Sequence, residues 1–136
     1  MKTVIATIVC LVIIGVLGVG LHMAFGIGWF TLNSSIIPPQ DKADALRGLL
    51  ESSSMKAAAY GTSAIVASVV YSFIARSSSM VAASIYAALA GACVAFSGNV
   101  DVVATSSGVG VFFVVLVLHA LIRRDAPAQE ASAPNN

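Results

Sequence analysis

The sequence predicts an all-α integral membrane protein with four transmembrane helices in an up-down bundle and a short external amphipathic helix between the first two spans. Composition is the first reason, because 58% of the 136 residues are hydrophobic and only 10% are charged. A soluble domain carries about 25% charged residues to face water. The second reason is that long apolar runs alternate with short polar segments, as in a chain that crosses a membrane repeatedly.

The apolar runs place the spans at residues 4–30, 57–75, 80–96 and 102–122. The first run is longer than a hydrocarbon core of about 30 Å requires, so we expect it to tilt, bend or extend beyond the membrane. It also exceeds the roughly 7–15 apolar residues of a cleaved signal peptide, which favours a membrane span. We assign residues 1–124 to one four-span membrane domain and residues 125–136 to a disordered cytoplasmic tail.

The segment between the first two spans is strongly polar. Pro38 and Pro39 are expected to end the first helix and to open a short second one. The apolar residues that recur at helical spacing in this second helix are Ala43, Leu46, Leu49 and Leu50. Two interpretations remain open: an amphipathic helix that lies on the membrane surface, or a solvated helix that only links two spans.

Basic residues near the span ends predict the orientation. Four of them lie on one side of the predicted membrane, including Arg76 in a short turn and the adjacent pair Arg123 and Arg124, and three lie on the other side. Because basic residues favour the cytoplasmic side, we place both termini in the cytoplasm. We expect a multi-pass protein of the bacterial inner membrane.

Small side chains recur at four-residue intervals in the second and third spans, so that each row lies along one helix face. Membrane helices associate by close backbone contact, which small residues permit. We therefore predict a close antiparallel hairpin of these two spans. The residues assigned to the helix-packing interface are Ala57, Gly61, Ala64, Ser68, Ser72, Ala83, Ala87, Gly91 and Ala95. The Val-, Ile- and Leu-rich residues 4–19 and 109–118 suit contact with lipid or a partner subunit.

No catalytic or cofactor-binding motif is found in the sequence. The serines lack a neighbouring histidine–carboxylate pair, and no metalloprotease, hydrolase or phosphate-loop motif occurs. Cys10 and Cys93 have no metal-ligand spacing and are expected to stay unpaired. His22 and His119 are placed at opposite depths, which excludes a haem bridging both within one protomer, so each is interpreted as interfacial or hydrogen-bonded. We expect no enzyme activity, no metal and no cofactor.

Proton- or sodium-coupled transport is not expected either, because no Asp, Glu, Lys or Arg is placed inside a span. A net charge of +1 gives no basic surface for nucleic acid. The sequence therefore predicts a non-catalytic membrane subunit or scaffold, surrounded by lipid, that packs against itself or other membrane proteins through small-residue helix faces. Two alternatives stay open: an oligomeric pore of the holin or channel kind, lined by Ser and Thr, and a small immunity or regulatory protein.

Overall fold

The computed structural model describes residues 2–75, 79–98 and 101–124, and within them all regular secondary structure is helical, without strands. The helices are α1 (Lys2–Asn33), α2 (Lys42–Glu51), α3 (Ser53–Ile74), α4 (Met80–Ala95) and α5 (Val102–Arg124), and a 3₁₀ turn at Pro39–Asp41 precedes α2. The all-helical prediction is confirmed. The predicted turn at Arg76 and the predicted disordered tail at residues 125–136 lie outside the described residues.

Among the described residues, three helices are long and apolar enough to cross a membrane, namely α1, α3 and α5. The apolar helix α4 has only 16 residues, which is about 24 Å at 1.5 Å per residue. Large hydrophobic side chains cover the outside of the bundle, as at Val16 and Val81, which are each 69% exposed. An exposed surface this apolar is unusual for a protein in water and is compatible with lipid contact.

The helix α2 has the amphipathic character that its sequence predicts. Of its four predicted apolar positions, Leu46, Leu49 and Leu50 are partly buried and Ala43 is exposed. Arg47 and Glu51 are exposed and form an ion pair with an N–O distance of 2.9 Å. The apolar side of α2 therefore faces the rest of the chain and its charged side faces outward.

The long helices do not pack in chain order. α1 lies along α3, α3 lies along α5, and α4 lies along α5, while the consecutive helices α3 and α4 contact each other much less. The first residues of α3 and α5 meet where Ser53 donates to Asp101, and Tyr71 contacts His119 near their other ends. These two neighbours therefore run parallel, whereas neighbours in a simple up-down bundle run antiparallel.

A carboxylate links the starts of α5 and α3. Asp101 Oδ1 accepts a hydrogen bond from the backbone N–H of Ala104 at 2.8 Å, which caps the first turn of α5. The same side chain accepts a second hydrogen bond from the hydroxyl of Ser53. Both hydrogen bonds lower the pKa of Asp101 below its ordinary value of 3.8, and the bond from Ala104 contributes most.

Candidate functional site

One face of α1, formed by a row of residues at four-residue spacing, packs against the rest of the chain. The row consists of Ala6, Cys10, Ile14, Gly18, His22 and Gly26, of which all but the half-buried His22 are buried. A Cβ at Gly18 would lie 2.5 Å from the ring of Tyr60, and a Cβ at Gly26 would lie 2.7 Å from Leu50. The Nε2 of His22 donates a hydrogen bond to the carbonyl oxygen of Leu50 at 2.9 Å. Glycine thus lets side chains of α3 and α2 rest directly on the backbone of α1.

A second row of α1 at the same spacing is exposed. Its residues are Ile8, Val12, Val16, Gly20, Ala24 and Gly28. Because each residue of this row is two positions after one of the buried row, the two rows lie about 200° apart around the helix. A Cβ added at Gly20 or Gly28 would meet nothing within 4 Å. We call Gly20, Ala24 and Gly28 the open row.

The residues that were predicted to form a helix-packing interface are mostly buried inside this chain. The buried ones are Ala57, Ala64, Ser68, Ser72, Ala83, Ala87 and Gly91. Gly61 and Ala95 are partly exposed, and a Cβ at Gly61 would meet nothing within 4 Å. The buried members are thus occupied by contacts within the chain and do not present a surface to a partner protein.

The closest helix contact that involves these residues joins α4 to α5. A Cβ at Gly91 would lie 2.6 Å from the carbonyl oxygen of Gly108, and a Cβ at Gly108 would lie 2.5 Å from the carbonyl oxygen of Gly91. The close hairpin is therefore that of α4 and α5, and the predicted close hairpin of the second and third spans is corrected accordingly. The signal that could have revealed the contact is the pair Ala104 and Gly108, two small residues four positions apart and both buried.

Aromatic rings fill the space between α3 and α4. The rings of Tyr71 and Tyr86 stack with centroids 4.0 Å apart and planes inclined by 10°. The ring of His119 lies 6.1 Å from that of Tyr71, and none of the three residues is more than 1% exposed. We call these three residues the aromatic cluster. Two stacked rings separate helix backbones further than glycine does, which explains why α3 and α4 do not meet along their small residues.

The structure adds the surroundings of one residue that the sequence analysis had considered. His119 was interpreted as an interfacial or hydrogen-bonded histidine, and its side chain is buried beside the ring of Tyr71. The two histidines lie near opposite ends of α3, since His22 bonds to Leu50 in α2, just before α3 begins, and His119 packs against Tyr71 near the end of α3. No role was assigned to the tyrosines, although a tyrosine inside an apolar run is a signal of a polar contact.

Other ligand-binding chemistry is sparse in the part of the chain that the structure describes. No three His, Cys, Asp or Glu side chains come together there in a way that could hold a metal ion. Cys10 is a buried free thiol and Cys93 an exposed one. Comparison with protein-family models, with curated proteins and with solved structures finds no match to this chain. Its function must therefore be inferred from the geometry of its own residues.

Proposed function

We propose that this protein is a non-catalytic membrane subunit or scaffold and that α1 is the helix that contacts its partner, either another membrane protein or a second copy. The open row carries this proposal. Glycine in a helix interior costs about 1 kcal/mol relative to alanine, yet Gly20 and Gly28 contact nothing that would require a missing side chain. A partner helix whose backbone lies close against α1 would leave no room for side chains at these positions, and would therefore explain the glycines.

We further propose that α4 also crosses the membrane, so that the chain spans it four times with both termini in the cytoplasm, in a bacterial inner membrane. The support is that α4 packs along α5 and is apolar along its length. Its length of about 24 Å is a few ångströms short of a typical hydrocarbon core, and local thinning of the bilayer accommodates such a difference.

Cysteine labelling in intact cells tests this topology. Ser54 and Lys2 are both exposed, so each position accepts a reporter thiol in a background that carries Cys10→Ser and Cys93→Ser. We expect Ser54→Cys to react with a membrane-impermeant thiol reagent, and Lys2→Cys to react only after the membrane is opened. The reverse pattern would show that the orientation is inverted, and reaction of both would show that the two positions share one side.

Site-specific photo-crosslinking tests the open row. A photoreactive residue at Val16, next to Gly20 on the same row, is expected to give a protein adduct in cells, whereas the same residue at Val81 is expected to give none. Gly20→Leu should reduce the adduct about tenfold or more, because overpacking an interface costs about 1–3 kcal/mol and 1.4 kcal/mol corresponds to a factor of ten. Gly15→Leu is the matched control, since Gly15 is also open but lies outside the row.

The folded chain should tolerate these substitutions, because a Cβ at Gly15 or Gly20 meets nothing within 4 Å. The thermal stability of each purified variant should therefore equal that of the wild type or exceed it. An adduct at Val16 that Gly20→Leu leaves unchanged would contradict the use of the open row. Absence of any adduct at Val16 would contradict the role of α1 in association.

The distribution of hydroxyl groups favours a subunit over an oligomeric pore. A pore lining requires polar side chains on one continuous face that is open to the water path. Here Ser63, Ser68 and Ser72 are buried within the chain, whereas Thr62 and Thr105 are exposed on other faces. An immunity or regulatory role would use the same α1 surface, and the identity of the crosslinked partner distinguishes it from a structural subunit.

A further inference from the structure

Two hydroxyl groups near the end of α3 are buried without a hydrogen-bond partner among the described residues. They are Tyr71 Oη and Ser72 Oγ, and both residues are 0% exposed. Burial of a hydroxyl group without a partner is costly, and folded proteins satisfy nearly all such groups with protein atoms or with bound water. These two groups therefore indicate a ligand with hydrogen-bonding capacity.

The hydroxyl of Ser72 differs from those of the other buried serines on α3. Ser63 and Ser68 each donate a hydrogen bond to the carbonyl oxygen four residues earlier, at Ala59 and Ala64. This is the usual way in which a serine is satisfied inside a helix. Ser72 makes no such bond, although a carbonyl oxygen lies one turn before it. Its hydroxyl remains available to a molecule in the core.

The hydroxyl of Tyr71 cannot escape to the surface, because neighbouring rings fix its own ring. Tyr86 stacks against one face at 4.0 Å, and the imidazole of His119 lies at an inclined angle of 47° nearby. The hydroxyls of Tyr86 and Ser68 lie 3.4 Å apart in the same region. Three helices thus contribute polar groups to one part of an otherwise apolar core.

We propose that water molecules bind in this core at the hydroxyls of Tyr71 and Ser72, next to the aromatic cluster. Water is the ligand that matches the chemistry, because it both donates and accepts and is commonly held by two to four polar groups in protein interiors. The proposal is independent of the association surface on α1.

Removal of each hydroxyl group changes the Tm in a direction that tests the proposal. If water is bound, Tyr71→Phe and Ser72→Ala each lose hydrogen bonds, and we expect the Tm of the purified protein in detergent to fall by about 3–6 °C. If the core is dry, each change removes an unsatisfied polar group and the Tm should stay the same or rise. Ser63→Ala is the control, since its hydroxyl bonds only to the carbonyl oxygen of Ala59. That oxygen lies inside α3 and keeps its helical N–H donor, so removing the hydroxyl leaves no group unsatisfied and little change is expected.

Radiolytic footprinting supplies a readout that does not depend on stability. X-rays convert bound water to hydroxyl radicals, which oxidise the side chains beside it. We expect oxidation of Tyr71 at a rate comparable to that of the half-buried Tyr60, despite the complete burial of Tyr71. A wild-type protein in which Tyr60 is oxidised and Tyr71 is not would overturn the proposal, as would an unchanged or raised Tm in both hydroxyl variants.

Discussion

Gly108→Ala is expected to destabilise the folded protein by about 1–3 kcal/mol. The new Cβ would lie 2.5 Å from the backbone carbonyl oxygen of Gly91, which cannot rotate out of the way as a side chain could. The two helices would have to separate, and the contacts of α4 along α5 would loosen with them. Unfolding by sodium dodecyl sulfate in mixed micelles, followed by circular dichroism, measures the change in free energy.

Gly110→Ala is the matched control, because it introduces the same methyl group on the same helix where nothing lies within 4 Å. It should leave the stability unchanged or raise it by up to about 1 kcal/mol, since alanine is the better helix former. Gly91→Ala should resemble Gly108→Ala, and the double variant should cost less than the sum of the two because both disturb one contact. Equal stability of the Gly108 and Gly110 variants would show that α4 and α5 do not cross there.

The positions of the helices could be predicted from the sequence because they follow from long apolar runs bounded by polar residues. The third and fourth spans, predicted at 80–96 and 102–122, correspond to Met80–Ala95 and Val102–Arg124. The helices of the first two predicted spans begin earlier than residues 4 and 57, at Lys2 and Ser53. The first also ends later than residue 30, at Asn33, whereas the second ends at Ile74, one residue before its predicted end. The reason is that polar residues such as Ser53 and Asn33 can continue a helix beyond an apolar run, so hydropathy marks the run and not the helix.

Which helices pack closely together could not be predicted, because a row of small residues shows which face of a helix permits close approach but not which helix lies against it. A Cβ added at Gly61, which belongs to such a row, would meet nothing within 4 Å, whereas a Cβ added at Gly108 would meet the backbone of Gly91. The burial of His119 could not be predicted for a related reason, since counting residues from Arg123 gives its depth and not its direction around the helix. The structure places His119 on the same helix face as Val111 and Val115, which are buried although residues 109–118 were expected to suit contact with lipid or a partner subunit.

Tyr86→Ala is expected to have the largest effect of any single substitution considered, about 3–5 kcal/mol, as for other large-to-small changes of a buried aromatic residue. Tyr86 is completely buried and its ring covers that of Tyr71 at 4.0 Å. Its removal leaves a cavity between α3 and α4, where few other contacts hold these helices together. The same unfolding titration in mixed micelles measures the loss.

Two further variants are controls for Tyr86→Ala: one removes only the hydroxyl group of Tyr86, and the other removes an exposed ring. Tyr86→Phe keeps the ring and loses only the hydroxyl contact with Ser68, whose 3.4 Å length indicates a weak hydrogen bond, so we expect a cost below about 1 kcal/mol. Phe73→Ala removes a ring of similar size that is 64% exposed and should cost little in a micelle, because detergent already surrounds it. The expected order of destabilisation is therefore Tyr86→Ala far above Tyr86→Phe and Phe73→Ala. A cost for Tyr86→Ala no larger than that for Phe73→Ala would mean that stacked rings do not join α3 to α4, and that the contact of both helices with α5 holds the bundle together on its own.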